Sequence, residues 1–489
     1  MIHPVKPPKQ ISWKIIYHEY KGYEKKAIEF LSREVGKYLI RQEGVYTLYV
    51  LPCEKEDVAA ITENAIVVAL YQDSPTVRKC VKEEELDGKD YVIKVVVNPD
   101  NENCRIVLIT ARTGINLMYG AQAFADNYPV QRAVGHGGLK IPQWRYDYLM
   151  PEYTLSETAK IATRGAWTWA HPINDYRAYI RNMARLRINQ ITLWNDYMPL
   201  NAKEVVDYAH EYGIKVIWGY SWGWNENGTL KDITEEFLEK LKQTALRSYE
   251  ENYKDTNCDG IYFQSFTEVQ DEKIGDKLIA EVVTDFVNDT AAEFFKRYHD
   301  MKIQFGLHAT SVKNHLDILA KVDKRVEIVW EDCGTFPYGY TPIVRDEQAY
   351  EETLEFTRKI VNLRPGAPVG LILKGFMTVN WEMFEHQKGP YIMGDNSTAI
   401  QKADQELRKP IWKMFESEWL QYGGYALRLV QEVFKMTNGN VNISMVCEDG
   451  GGTIPLPCAL FAEMVFDPQQ EYGELMRKVS YRQAIIENA

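Results

Sequence analysis

A small N-terminal α/β domain followed by a (β/α)8 barrel is the fold class this 489-residue sequence predicts. Three observations predict it. From about residue 158 onward, short segments that are nearly continuously apolar alternate with stretches of helical period, and eight such pairs can be counted. Strands apolar on both faces suit a parallel sheet covered by helices. The chain also contains no G-x-G-x-x-G and no G-x-x-x-x-G-K-[ST], so a competing nucleotide-binding open sheet lacks its fingerprint.

In order, residues 1–145 read as the small domain. Its strand segments are 45–51, 65–70, 91–97 and 105–111, rich in β-branched residues. A helix is expected over 24–39, with Ala27, Phe30, Leu31, Val35 and Leu39 close to one face, and another after Gly114 within 111–128. Residues 146–489 form the barrel domain. Its strands are expected at 160–170, 190–196, 214–222, 259–268, 302–310, 326–334, 368–382 and 441–451. Between the last two lies an insertion, 383–440, with its own helix at 418–435, and a closing helix is expected at 459–467.

Composition excludes several classes. Hydrophobic residues make up 45% of the chain, enough for large cores and too much for disorder. Lys and Arg total 57 against 69 Asp and Glu, with no basic block, which argues against a nucleic-acid partner. No apolar run reaches about 18 residues, so no ordinary membrane helix is expected. The start, MIHPVKPPKQISW, shows no apolar signal core, so the expected location is cytoplasmic. Seven scattered cysteines without a CxxC suggest neither a disulfide scaffold nor a zinc ribbon, and no HExxH or paired-His spacing occurs. No cofactor or metal is expected, and homo-oligomerisation is left open.

A barrel's active site lies at the C-terminal ends of its strands. There the sequence places Trp167 and Trp169 on strand one, Trp194 with Asn195 and Asp196 on strand two, and Trp218, Trp222 and Trp224 at or beyond strand three. Trp330 stands near strand six and Trp381 near strand seven, so eight of the 12 Trp fall at one rim. Aromatic faces round a polar pocket suit the C–H faces of sugar rings, although some of these Trp should serve packing. The rim is also acidic: Glu268, Glu331 with Asp332, Glu382, and Glu448 with Asp449. Glycoside hydrolysis needs two carboxyl groups across a sugar, one protonated for the leaving oxygen and one as nucleophile or base. Glu268 is the expected acid, with flanking aromatics such as Phe266 desolvating it. Glu331 or Asp332 is the expected second carboxylate; neighbours on a strand point to opposite sides, so only one faces the pocket unless the strand has already ended. Trp167, Trp194, Asp196, Trp222, His308, Trp381, Glu382 and His386 are the expected substrate-binding residues.

The strand–Gly–helix passage RIVLITARTGINLMYGAQAF, followed by RGAWTW and MARLRINQITLWND, resembles glycoside hydrolases of families 20, 67, 84 and 115. The similarity is greatest to the α-glucuronidase and β-hexosaminidase group, and it covers the domain order and the stretches around strands one, two and four. It implies a glycosidase acting on oligosaccharides. In the hexosaminidases strand four ends in Asp-Glu; here Thr267-Glu268 stands there, so the Glu carries over as acid while the acetamido-orienting Asp is missing. Family 84 uses Asp-Asp, which the sequence does not match. In family 67 a strand-four Glu is the acid and later strands supply water-activating carboxylates, a plan that Glu268 with Glu331 or Asp332 fits, although that family carries a large helical domain after the barrel. A glucuronate would need a cation, for which Arg164 and Lys374 are candidates. The reading is an exo-acting glycoside hydrolase. Its competitors are a non-catalytic sugar-binding barrel and a serine hydrolase using Ser221 in GYSWG (219–223), a G-x-S-x-G match without the strand-to-helix turn that motif requires.

Overall fold

The computed structural model describes residues 13–39, 51–57, 60–126, 150, 152–169, 173–195, 197–224, 233–331, 347–373, 389–394, 399–447 and 455–480. The chain divides into two compact units, Met1–Ala159 and Lys160–Ala489.

The first unit is a six-stranded mixed sheet. Its strands are β1 (Trp13–Tyr17), β2 (Cys53–Lys55), β3 (Asn64–Leu70), β4 (Tyr91–Asn98), β5 (Asn101–Ala111) and β6 (Tyr153–Glu157), in the order β2-β1-β3-β5-β4-β6. β4 runs antiparallel to both β5 and β6; the other pairings are parallel. β6 lies beyond residue 145, and its pairing with β4 makes it part of this sheet. The helices Gly22–Leu39 and Gly114–Ala125 pack together, and the second lies on the sheet through Gly120. A Cβ at Gly120 would stand 3.1 Å from Ile109 Cγ2 and 3.2 Å from Tyr91 Cβ, so the bare backbone sets how closely the helix approaches. β1, β2 and β6 are absent from the sequence expectation. Most of the segment expected at 45–51 lies outside the described residues.

The second unit is the barrel that the sequence predicts. Its eight parallel strands are β7 (Thr163–Trp169), β8 (Gln190–Trp194), β9 (Lys215–Gly219), β10 (Gly260–Gln264), β13 (Lys302–Leu307), β14 (Val326–Trp330), β15 (Val369–Leu373) and β16 (Asn442–Val446). A two-stranded hairpin, β11 (Lys273–Ile274) with β12 (Lys277–Leu278), lies between β10 and β13. Pairing of β16 with β7, from Asn442↔Thr163 to Val446↔Trp167, closes the ring. Helices follow the strands, among them Tyr176–Arg185, Ala202–His210, Glu235–Ser248, Ile279–Arg297 and Glu347–Val361. Two of them start on side-chain caps: Asp175 accepts the Ala178 N–H at 2.9 Å and Thr234 the Phe237 N–H at 3.2 Å.

The insertion holds a longer helix than expected, Ala399–Thr437, with Pro410 inside it. Its first half, rich in charge and interrupted by proline, gives no apolar stripe to read. The helix Tyr472–Val479 packs against it where Gly423 has no side chain: a Cβ there would meet the Tyr472 hydroxyl, which donates to the Trp419 carbonyl.

Inside the barrel the side chains form layers. The lower layer is polar: Glu327 accepts from Gln304 at 2.7 Å and pairs with Lys302 at 3.0 Å, and Lys302 also reaches Gln190 at 3.0 Å. The upper layers are aromatic, with Trp167, Trp169, Trp194 and Tyr262 packed together with Ile217, Val329, Ile372 and Val446. The site therefore stands on a filled barrel.

Candidate active site

β10 carries both parts of the site. Tyr262 and Gln264, two residues apart, face the interior, while Phe263 between them stacks on Trp222 and Phe305 on the helix side. After Gln264 the chain turns through a short 3-10 segment, Phe266–Glu268. Two hydroxyls pin this turn. Ser265 donates to the Trp222 carbonyl at 2.9 Å, and Ser311 donates to the Thr267 carbonyl at 3.0 Å. Glu268 emerges exposed, and the indole N–H of Trp224 donates to its carboxylate.

Glu331 follows β14 and is fully buried. It faces inward, on the same side of its strand as Val329 and opposite to Trp330, which packs on Phe356. Donors from two other strands converge on it. The Tyr262 hydroxyl and the Gln264 amide, the latter at 2.6 Å, both reach Oε1; His308 Nε2 stands 2.9 Å from Oε2. His308 is itself largely buried, at 8% exposure.

One aromatic cluster joins the two carboxylates. Trp169 stacks on Trp194 at 4.8 Å and on Trp167 at 5.6 Å. Trp224 stands edge-on to Trp169 at 5.3 Å and holds Glu268. Tyr262 stands edge-on to Trp167 and Trp194, 6.0 Å from each, and holds Glu331. Gly219, in register with Trp194, leaves room for its ring: a Cβ there would lie 2.7 Å from the indole. The cluster is packed face to face, with a carboxylate at each end, one exposed and one buried.

Several expectations are corrected. Trp222 does not face the pocket; it lies between Phe263 at 3.7 Å and Phe294 at 5.3 Å, fully buried against the helix Ile279–Arg297. Trp218 and Trp330 also turn to the helix side, against Tyr253 and Phe356. Phe266 is fully buried beside Phe286 and does not cover Glu268, whose side chain is exposed. Thr267 is fully buried. Arg164 points away from the mouth: its guanidinium donates to the carbonyls of Arg187 at 2.9 Å and Ile161 at 2.8 Å. Ser221 is no nucleophile elbow. Its hydroxyl accepts the Trp224 N–H at 2.9 Å, and the chain stays bonded to β10 through Tyr220 and Trp222 instead of turning into a helix.

Asp196, Asp332, Trp381, Glu382, His386, Lys374, Glu448 and Asp449 lie outside the described residues. Tyr262 and Gln264 are site residues that the sequence expectation omits. Their signal was present: in DGIYFQSF they share one face of a strand that ends at Glu268.

No family model and no curated protein matches the chain. Solved structures do. A GH138 enzyme targeting pectin rhamnogalacturonan II superposes with a TM-score of 0.51 at 11% identity, covering 95% of this chain and 65% of its own. The GH20 β-N-acetylhexosaminidase of Streptomyces coelicolor gives 0.51 at 10% identity, covering 98% and 93%. The chain has the fold of these glycoside hydrolases. A GH115 4-O-methyl-α-glucuronidase with specificity for decorated arabinogalactans also matches, at 0.51 and 12% identity over 96% of this chain and 59% of its own. The chain thus spans less than two thirds of the length of the GH138 and GH115 enzymes. Among the described residues no helix is long and apolar enough to cross a membrane.

Proposed function

We propose that this chain is an exo-acting glycoside hydrolase that removes a terminal sugar from oligosaccharides, with Glu268 as general acid and Glu331 as the second carboxylate. The observation that carries the reading is the position of the two carboxylates at opposite ends of one aromatic cluster at the mouth of a barrel with the glycosidase fold. The terminal sugar packs its C–H face against the half-buried indole of Trp224, which caps the cluster beside Glu268. Glu268, exposed at the rim, gives its proton to the departing oxygen, which leads out to solvent. Glu331, in the interior, serves the opposite side of the anomeric carbon, either taking a proton from water or forming a glycosyl ester that water then opens. Asp332, the next residue, is the alternative for that role. His308 binds a sugar hydroxyl beside Glu331. Imported oligosaccharide fragments in the cytoplasm are the substrates that fit an exo-acting enzyme.

Two features bear on the sugar. A buried threonine holds the place of the hexosaminidases' acetamido-orienting Asp, which weighs against an acetamido-assisted mechanism. Arg164 is committed to backbone carbonyls, which removes it as a uronate partner. The test is a screen of the purified protein against aryl glycosides and aryl uronides, with Glu268→Gln as control. Turnover by the wild type that the variant loses supports the reading. Tight sugar binding without turnover would replace it with the sugar-binding barrel.

A further inference from the structure

Tyr262 and Glu331 bond across strands that are not neighbours, because β13 lies between β10 and β14. Adjacent strands stand about 4.8 Å apart, so the bond spans roughly 10 Å of backbone separation and passes over the middle strand. The middle-strand residue at that level is Gly306, in register with Gln264 on one side and Val329 on the other. A Cβ at position 306 would collide with the Tyr262 hydroxyl and with Oε1 of Glu331, and would lie 2.5 Å from Tyr262 Cζ. Gly306 is not among the residues of positive φ, so its backbone does not call for glycine; the space does. The edge contacts from Trp167 and Trp194 hold the phenol ring in place over that gap.

We infer that Tyr262, admitted by the bare backbone of Gly306, is a positioning residue that keeps Glu331 ionised and in one orientation. Its catalytic consequence rests on the glycosidase reading; the bond itself does not. Hydrogen-bond donors to a carboxylate favour its charged form. The titratable groups facing Glu331 among the described residues are Tyr262 from β10 and His308 from the end of β13; Gln264 adds a neutral donor. A two-carboxylate mechanism needs one group protonated and the other ionised at the same pH. Full burial of Glu331 acts against its ionised form, so the donors from Tyr262 and Gln264 are what offset that desolvation.

The test uses Tyr262→Phe, which removes only the phenol oxygen. Urea unfolding of the full chain, at about pH 7 and about pH 4.5, needs no substrate. The variant should lose more stability at the higher pH, because the donor it lacks serves the ionised carboxylate. With a 4-nitrophenyl glycoside that the wild type hydrolyses, kcat/KM should fall about tenfold with little change in KM, and its acid limb should move up by about one pH unit. Gly306→Ala should shift the limb in the same direction and add little when combined with Tyr262→Phe, since both break one contact. Equal destabilisation at both pH values with an unmoved acid limb would reduce Tyr262 to packing and overturn the inference. A wild type inactive on every glycoside would overturn the reading of the previous subsection, while the unfolding comparison would still decide this one.

Discussion

Glu268 is exposed and tethered by one indole, and its proposed role as general acid can be read directly from a variant. Glu268→Gln should fold normally and lose about 10²–10⁴-fold in turnover of substrates with poor leaving groups. Activated aryl glycosides should suffer less, because their leaving group needs no proton. Equal loss on both substrate types would remove Glu268 from the acid role. The second carboxylate has its own signature. If Glu331 is a nucleophile, Glu331→Ala should be restored in part by azide, with a product of inverted anomer; if it is a base, azide should not form a glycosyl azide. A near-normal Glu331→Ala would pass the role to Asp332. At this scale the sequence was legible where period two applies. It pointed to Glu331 or Asp332 at the end of an apolar strand; β14 ends at Trp330, Glu331 just beyond it is buried against Tyr262, and Asp332 lies outside the described residues.

Elements decide which aromatic residues can serve the site. Trp222 lies just beyond β9, but its backbone bonds to Gln264 and its ring goes to the helix side. Trp222→Ala should cost about 3–5 kcal/mol in denaturant unfolding and leave KM nearly unchanged. A raised KM at unchanged stability would return it to the pocket. At the other end of the strands, His210 on the helix Ala202–His210 meets Asp259 just before β10, at 2.8 Å. The bond to Asp259 raises the His210 pKa. Burial acts to raise Asp259, but the bonds from His210 and from the Val216 N–H outweigh it and hold it below its usual value. A histidine raised in the folded state stabilises most below its unfolded pKa of about 6.5, and the contribution is lost as pH rises through the folded value. His210→Gln should therefore cost most near pH 6 and least near pH 9, by under about 1 kcal/mol because the pair is partly exposed. Unfolding midpoints across that range check the sign.

For the molecule as a whole, the barrel must hold its first and last helical units together. Arg187, after the first barrel helix, pairs with the fully buried Glu463 on the helix Pro455–Phe466 and lies over the Phe466 ring at 3.7 Å. Lys478 on the last helix stands 3.5 Å from the same carboxylate. Breaking such a pair leaves a buried charge uncompensated, so Glu463→Ala should lose about 3–5 kcal/mol. KM should not change, since the pair lies away from the strand ends that carry Glu268 and Glu331. A loss below about 1 kcal/mol would mean that water or a neighbour already neutralises Arg187.

The sequence by itself determined the eightfold alternation of strand and helix, because hydrophobic period and strand length are local properties. It also placed Glu268 and Glu331 at strand ends. The tertiary structure alone decided which of the rim tryptophans face inward. Strands buried on both sides are apolar on both sides, so hydrophobicity cannot separate a barrel-interior ring such as Trp169 from a helix contact such as Trp222. It alone turned Arg164 away from the mouth. And it alone joined Tyr262, Gly306 and Glu331, since a bond that spans three strands depends on what the middle one lacks, and a glycine's missing side chain acquires that meaning only when its neighbours are in place.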